Sequence, residues 1–285
     1  MRSNVSSRFA RSGLASLDDL ESPEWQSAFQ DLSDVENQVR SASVHPPEYQ
    51  WPRNPLREQT RPWEYPYVYI NLKHFFDKRP TSHPLLLDIG SGFTFFPYCL
   101  ARLGYAVTAI DVDPVTGKIF EAAARKIRQD PGRVDFKLAD IRSLPFSDNS
   151  VDGIYSISVL EHIPNLRGVL SDIHRVLRDD GVFFLTFDVD LEGNFEVGPS
   201  SWQILRGEID DMFALLYPET TVHPRRLLSN QNQPFAPKTR RSTMFPRAAE
   251  ILRTNKKLFL KFTRRDSNVP IHVSSFGVCL RKKTQ

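Results

Sequence analysis

Between Pro84 and Asp190, five short apolar runs alternate with helical patterns, and each run ends at or near a carboxylate. Leu85-Leu86-Leu87 leads to Asp88, Ala106–Ile110 to Asp111, Val134–Leu138 to Asp140, Gly153–Ser158 to Glu161 and Val182–Phe187 to Asp188. A short, continuously apolar run reads as a strand buried on both faces. Helical stripes separate the runs: Phe96, Leu100 and Leu103 before Gly104; Ile119, Phe120, Ala123 and Ile127 before Asp130-Pro-Gly; Leu166, Val169, Leu170, Ile173, Val176 and Leu177 before Gly181. Such alternation with short joints predicts a parallel sheet wound on both faces through right-handed crossovers. Ligands of open parallel sheets bind beyond the carboxyl ends of the strands, where the strand order reverses. One acid at a strand end says little; five at equivalent positions describe a site.

The flanking segments are less regular. Residues 1–15 read as a polar, disordered tail. Ser16 to about Arg40 reads as helix, capped by Ser16 and divided at Pro23 into two short helices. Residues 45–63 are proline-rich and read as an extended connector, followed by Trp63-Glu-Tyr-Pro-Tyr and an amphipathic stretch ending near Phe76. Leu258–Arg264 and Ile271–Arg281 suit an antiparallel hairpin that finishes the sheet. The two cysteines, Cys99 and Cys279, are far apart and have no metal-ligand spacing, so a reducing, cytoplasmic setting is expected. No apolar run approaches the ~20 residues of a membrane-spanning helix. Net charge is +3, but His223–Arg265 holds twelve Lys/Arg against one acid, Glu250, which suits an anionic partner or a solvated basic face.

The turn after the first strand is Gly90-Ser91-Gly92, which lets the backbone bend tightly and approach a ligand before a helix begins. Asp111 follows Asp88 by twenty-three residues and can accept hydrogen bonds from both hydroxyls of a ribose. A dinucleotide fingerprint needs a third glycine three residues after the second, and Phe95 stands there. Asp88 would also repel a pyrophosphate. S-adenosylmethionine carries an ammonium and a sulfonium and no phosphate, which a carboxylate-rich pocket favours.

Leu86-Leu-Asp-Ile-Gly-Ser-Gly92, Ala109-Ile-Asp-Val-Asp113, Ala139-Asp-Ile141, Ser158-Val-Leu-Glu-His-Ile163 and Val176-Leu-Arg-Asp-Asp-Gly181 resemble the ordered motifs of class I S-adenosylmethionine-dependent methyltransferases, in their broad small-molecule branch. The resemblance covers residues 60–190 well. It implies an α/β fold: a Rossmann-like, doubly wound, seven-stranded sheet, mostly parallel, with a C-terminal antiparallel hairpin. An N-terminal tail and arm (1–60) would precede a methyltransferase domain (61–285), with 190–255 inserted as a substrate cap. The resemblance further implies that Asp88, Gly90, Ser91 and Gly92 hold the methionine moiety, and that Asp111 binds the ribose. Asp140 would bond the adenine amino group between Val112 and Ile141, and Ser158 would lie beside the reacting methyl. Thr94 stands where the family often has a third glycine. Tyr65, Tyr67 or Arg61 would touch the methionine end, or would anchor the arm.

Methyl transfer needs in-line alignment of nucleophile, methyl and sulfur, and an oxygen nucleophile must also lose a proton. His162, directly after Glu161, is the candidate base by place and type. The similar ubiquinone-pathway enzymes place another Glu where this chain has Ser158, so no metal is expected. The leading expectation is an O-methyltransferase of a small molecule: a natural product, a sugar or a carrier-linked, possibly anionic intermediate. An RNA- or protein-directed enzyme using the basic 223–265 segment and a non-catalytic binding protein are the alternatives.

Overall fold

The structure is a computed structural model that describes residues 7–47, 49, 52, 54–79, 83–192, 197–236 and 272–283. In chain order the elements are β1 (Gly13–Leu14), α1 (Leu17–Leu20), α2 (Pro23–Ser41), α3 (Arg61–Phe76), β2 (Leu85–Ile89), α4 (Phe96–Arg102), β3 (Ala106–Asp111) and α5 (Pro114–Ala124). There follow β4 (Arg133–Leu138), β5 (Val151–Ile157), α6 (Leu166–Val176), β6 (Leu177–Asp190), α7 (Pro199–Met212), β7 (Phe213–Leu215) and β8 (Val273–Lys282). The strands form one sheet in the order β1-β8-β6-β5-β2-β3-β4, with β7 also paired to β8. Strands β4, β3, β2, β5 and β6 are parallel, and β8 runs antiparallel to β6. The chain moves outward from β2 through β3 to β4 and then returns to β2's other side as β5. That reversal opens a crevice at the carboxyl ends of β2 and β5.

Alternate strand residues feed two cores, because successive side chains point to opposite faces. Leu86, Val107 and Phe184 pack with α2, α3, α4 and α5. Leu87, Ile110, Phe183 and Leu185 pack with α6 and α7. The expected strands and helices of 85–190 are present, and two short strands, β1 and β7, bring the described sheet to eight. The outer edge of β8 takes β1 and β7. The segment 258–264, expected as the other half of a hairpin, lies outside the described residues, as does most of the basic block. Among the described residues, no helix is long and apolar enough to cross a membrane.

Three expectations need correction. Residues 7–15 are packed, not a loose tail: Phe9 is buried near Tyr67, and Gly13 pairs with Gly277 of β8. Phe9, edge backbone and an ion pair from Arg11 to the buried Asp19 hold the segment, and none of these leaves a mark on its polar composition. The long N-terminal helix does divide at Pro23, but Ser22 caps a second helix of 19 residues rather than a short one. Third, α3 is not amphipathic; it is buried nearly all round, between the sheet and α2. A helix apolar on every side belongs inside.

Two local features let α3 sit there. Pro66 has no N–H for the Pro62 carbonyl one turn back, and the Trp25 indole N–H donates to that carbonyl at 2.7 Å instead. On β8, a Cβ at position 277 would stand 2.6 Å from the Tyr67 ring and 2.7 Å from Trp63. Glycine there admits the stacked Trp63–Tyr67 pair onto the strand.

In the expected cap, α7 packs beside α6 and buries Leu205 and Ile209, whereas Ile204 faces solvent. The chain from 216 to 236 runs back over the N-terminal arm. Ser12 bridges Glu219, Ser16 bridges Leu227, and Arg226 pairs with Asp18 and Glu21.

Candidate functional site

The loop after β2 is tied to the end of β3. Gly90 and Ser91 N–H groups both donate to the Ile110 carbonyl at 3.0 Å. The Gly92 N–H donates to Asp111 Oδ2 at 2.8 Å, and Asp113 N–H donates to Oδ1 at 2.9 Å. Gly90 has φ 69°, and a Cβ there would lie 2.4 Å from a Val159 methyl. Asp88, at the end of β2, is buried, and no cationic side chain pairs with it among the described residues. Burial pushes its carboxyl well above the ordinary carboxylate range; the nearby Asp111 adds to this, and the Tyr155 hydroxyl opposes it. Burial also raises Asp111, against the backbone N–H groups it accepts. Together they form an acidic cup whose negative charge is costly unless a cation shares it.

Asp140, beyond β4, lies at the open rim. Arg142 holds its carboxylate from the side chain at 2.9 and 3.0 Å and from the backbone N–H at 2.9 Å, which keeps the acid below its usual range. Ile141 is buried beside it, and Val112, after β3, is 65% exposed, an apolar surface at the mouth of the crevice.

Past β5 lies a buried polar knot. Ser158 takes a left-handed backbone conformation, φ 48°, at the strand end. Its hydroxyl donates to Glu64 at 2.7 Å and accepts from Arg61 at 2.6 Å. Arg61 also pairs with Glu64 and stands 3.9 Å from Asp188. Asp188 accepts from Thr60 at 3.2 Å and from Ser275 at 3.4 Å, while its N–H donates to Glu161 Oε1 at 2.9 Å. Glu161 Oε2 is buried without a hydrogen-bond partner among the described residues. Burial raises both carboxyls; the charge of Asp188 raises Glu161 further, and Arg61 opposes the rise at Asp188. His162 is exposed on a 3-10 turn (Leu160–His162), near enough for its charge to act on Asp188.

The predicted residues therefore fall in three groups. Asp88, Gly90, Ser91, Gly92 and Asp111 form one connected loop; Asp140, Ile141 and Val112 line the rim; Ser158 and His162 lie beyond β5. The tyrosines divide: Tyr65 faces Asp88 across a small cavity, whereas the Tyr67 hydroxyl donates to the Arg11 carbonyl at 2.8 Å and anchors the arm. His223 caps a turn in the segment over the arm. Sequence reasoning missed Thr60, Glu64, Tyr155 and Ser275. Glu64 had a signal, as a charge inside an otherwise aromatic and apolar stretch. So did Tyr155, a polar-headed ring within a core strand.

A mostly parallel sheet in this order, closed by an antiparallel last strand and carrying a glycine loop tied to the next strand's acid, is the class I methyltransferase fold. Residues 87–185 match the methyltransferase-domain family, in keeping with that fold. Over 118 residues the chain is 33% identical to an uncharacterized methyltransferase of Mycobacterium sp. (strain JLS), covering 40% of this chain and 43% of that protein. It is 31% identical over 130 residues to malonyl-acyl-carrier-protein O-methyltransferase of Serratia marcescens, covering 45% of this chain and 48% of that one. The matches thus span less than half the length of these relatives. The crystal structure of the (4+2)-cyclase SpnF superposes with TM-score 0.54 at 18% identity, over 92% of this chain and 97% of that one. At that identity the likeness concerns the fold alone.

Proposed function

We propose that the chain transfers the methyl group of S-adenosylmethionine to an oxygen of a small-molecule acceptor. The observation that carries this is the acidic cup: Asp88 buried with no cationic partner among the described residues, beside a Gly90 cradle that a Cβ would fill and an Asp111 carboxylate fixed by two backbone N–H groups. These residues fit the donor. Asp88, with Ser91, Gly92 and Tyr65 around it, would hold the amino-acid end. Asp111 keeps a further lone pair on each oxygen for the ribose hydroxyls. Val112 and Ile141 would flank the adenine, whose amino group Asp140 would share with Arg142. When bound, the donor supplies a methyl made electrophilic by its sulfonium.

The remaining work is positioning and proton handling. Ser158, held by Glu64 and Arg61, borders the place where acceptor and methyl meet. His162 takes the acceptor's proton. Arg61 pairs with a carboxylate of the acceptor or of the donor. The Serratia marcescens relative, named for malonyl-acyl-carrier protein, supports an acceptor that is anionic or carrier-linked.

Calorimetric titration with S-adenosylhomocysteine tests the reading. The wild type binds it and Asp111→Ala loses at least tenfold in affinity; a wild type that does not bind refutes the proposal. A radiolabelled donor supplied with hydroxyl- and amine-bearing acceptors then separates O- from N-transfer. His162→Gln should lower kcat for a hydroxyl acceptor and leave homocysteine-form binding unchanged.

A further inference from the structure

We propose that Tyr155 is a specificity-determining residue of the donor pocket: its hydroxyl, held beside Asp88, reads the primary ammonium at the donor's amino-acid end. This rests on the donor reading above. Tyr155 on β5 is the register partner of Asp88 on β2, so both side chains leave the sheet on the same face. The tyrosine is fully buried, its ring clamped edge-on by Phe96 with centroids 5.3 Å apart. Its hydroxyl makes no hydrogen bond of good geometry with any group among the described residues. Both side chains line the same small cavity, shared with Tyr65, Ser91 and Thr94.

Leaving a buried hydroxyl unpaired is costly. A phenylalanine would fill the same space against Phe96 without that cost, so the hydroxyl points to a group that enters the cavity. The donor and acceptor inventory of the pair selects that group. The phenol has one proton and two lone pairs, and an ionised Asp88 only accepts. Once the phenol donates to the carboxylate, the two side chains together offer acceptors and a negative charge. A carboxylate or phosphate would be repelled, and a sulfonium has no N–H to give. A primary ammonium supplies both the charge and more than one N–H. The mutual influence of the two groups agrees: Asp88 raises the tyrosine, and the tyrosine opposes the rise at Asp88.

The test uses two ligands that share a nucleoside and differ at one end. S-adenosylhomocysteine carries the amino acid, and 5′-methylthioadenosine lacks it. By calorimetry, Tyr155→Phe should weaken S-adenosylhomocysteine at least tenfold and leave methylthioadenosine within twofold, with a denaturation midpoint no lower than wild type. In an Asp88→Asn background the same substitution should cost less than threefold. Unchanged affinity for S-adenosylhomocysteine, or equal weakening of both ligands, overturns the role of Tyr155 and leaves the donor reading standing. A wild type that binds neither ligand overturns both.

Discussion

Gly90→Ala isolates two costs that the structure places at one residue. The first is conformational: φ is 69°, and an L-residue in the left-handed region costs ~1–2 kcal/mol. The second is steric: the new methyl would lie 2.4 Å from Val159 Cγ1 and 3.0 Å from Cγ2, well inside contact distance. Overpacking of that kind costs ~1–3 kcal/mol. Their sum is ~2–5 kcal/mol, which at ~2–4 °C per kcal/mol lowers the melting temperature by ~4–20 °C. The two parts separate in a double-mutant cycle, because Val159→Ala removes both opposing methyls and leaves φ unchanged. Gly90→Ala/Val159→Ala should therefore recover the steric part relative to the sum of the single variants, and retain the ~1–2 kcal/mol backbone part. Urea denaturation of the four proteins measures the cycle. A single variant as stable as wild type, or an additive cycle with no recovery, would refute the assigned contact.

Asp88 also sets a pH dependence. Its folded-state pKa is raised, so the native state holds the proton more tightly than the unfolded chain. The protonated acid's contribution is complete below about pH 4, the unfolded value, and is lost as pH rises through the folded value. Ligand-free Asp88→Asn should therefore gain stability over wild type as pH rises from 4 towards 8, while losing donor affinity. A wild-type-minus-variant difference that is flat with pH contradicts the buried, unpaired carboxyl. Trp25→Phe removes the indole donor to the Pro62 carbonyl. It should cost ~1–3 kcal/mol in denaturant unfolding and leave S-adenosylhomocysteine affinity within twofold; loss of binding at wild-type stability would contradict it.

The core from 85 to 190 was legible because its signals are local. Apolar runs, helical stripes and the stop at Gly104 need only a few neighbouring residues to be read, whereas the stop expected at Gly181 falls at Val176, and Gly181 lies within β6. The loop of Asp88 to Gly92 and its acid at Asp111 were legible for the same reason. The polar knot was not, because Thr60 and Glu64, Ser158, Asp188 and Ser275 come from four separate stretches. Only the placement of β8 against β6, and of α3 across both, brings them together. The all-round burial of α3 was hidden by Pro66 and Glu64, which break its apolar pattern. Phe9 and β1 were hidden because backbone pairing along a sheet edge carries almost no composition.

The position of β8 has a consequence for the order in which the molecule assembles. Residues 273–282 are the last described element, yet they lie between β6 and the two edge strands β1 and β7. While the chain emerges during synthesis, β2 to β6 can pair from contacts already made, and the donor loop closes with them. The edge of β6 stays open until β8 arrives, and β1 has no strand to pair with before then. Long-range pairing of this kind is slow and leaves an exposed strand edge in the interim. The half of the crevice that meets the donor thus forms early. The half built on Thr60, Asp188 and Ser275 waits for β8.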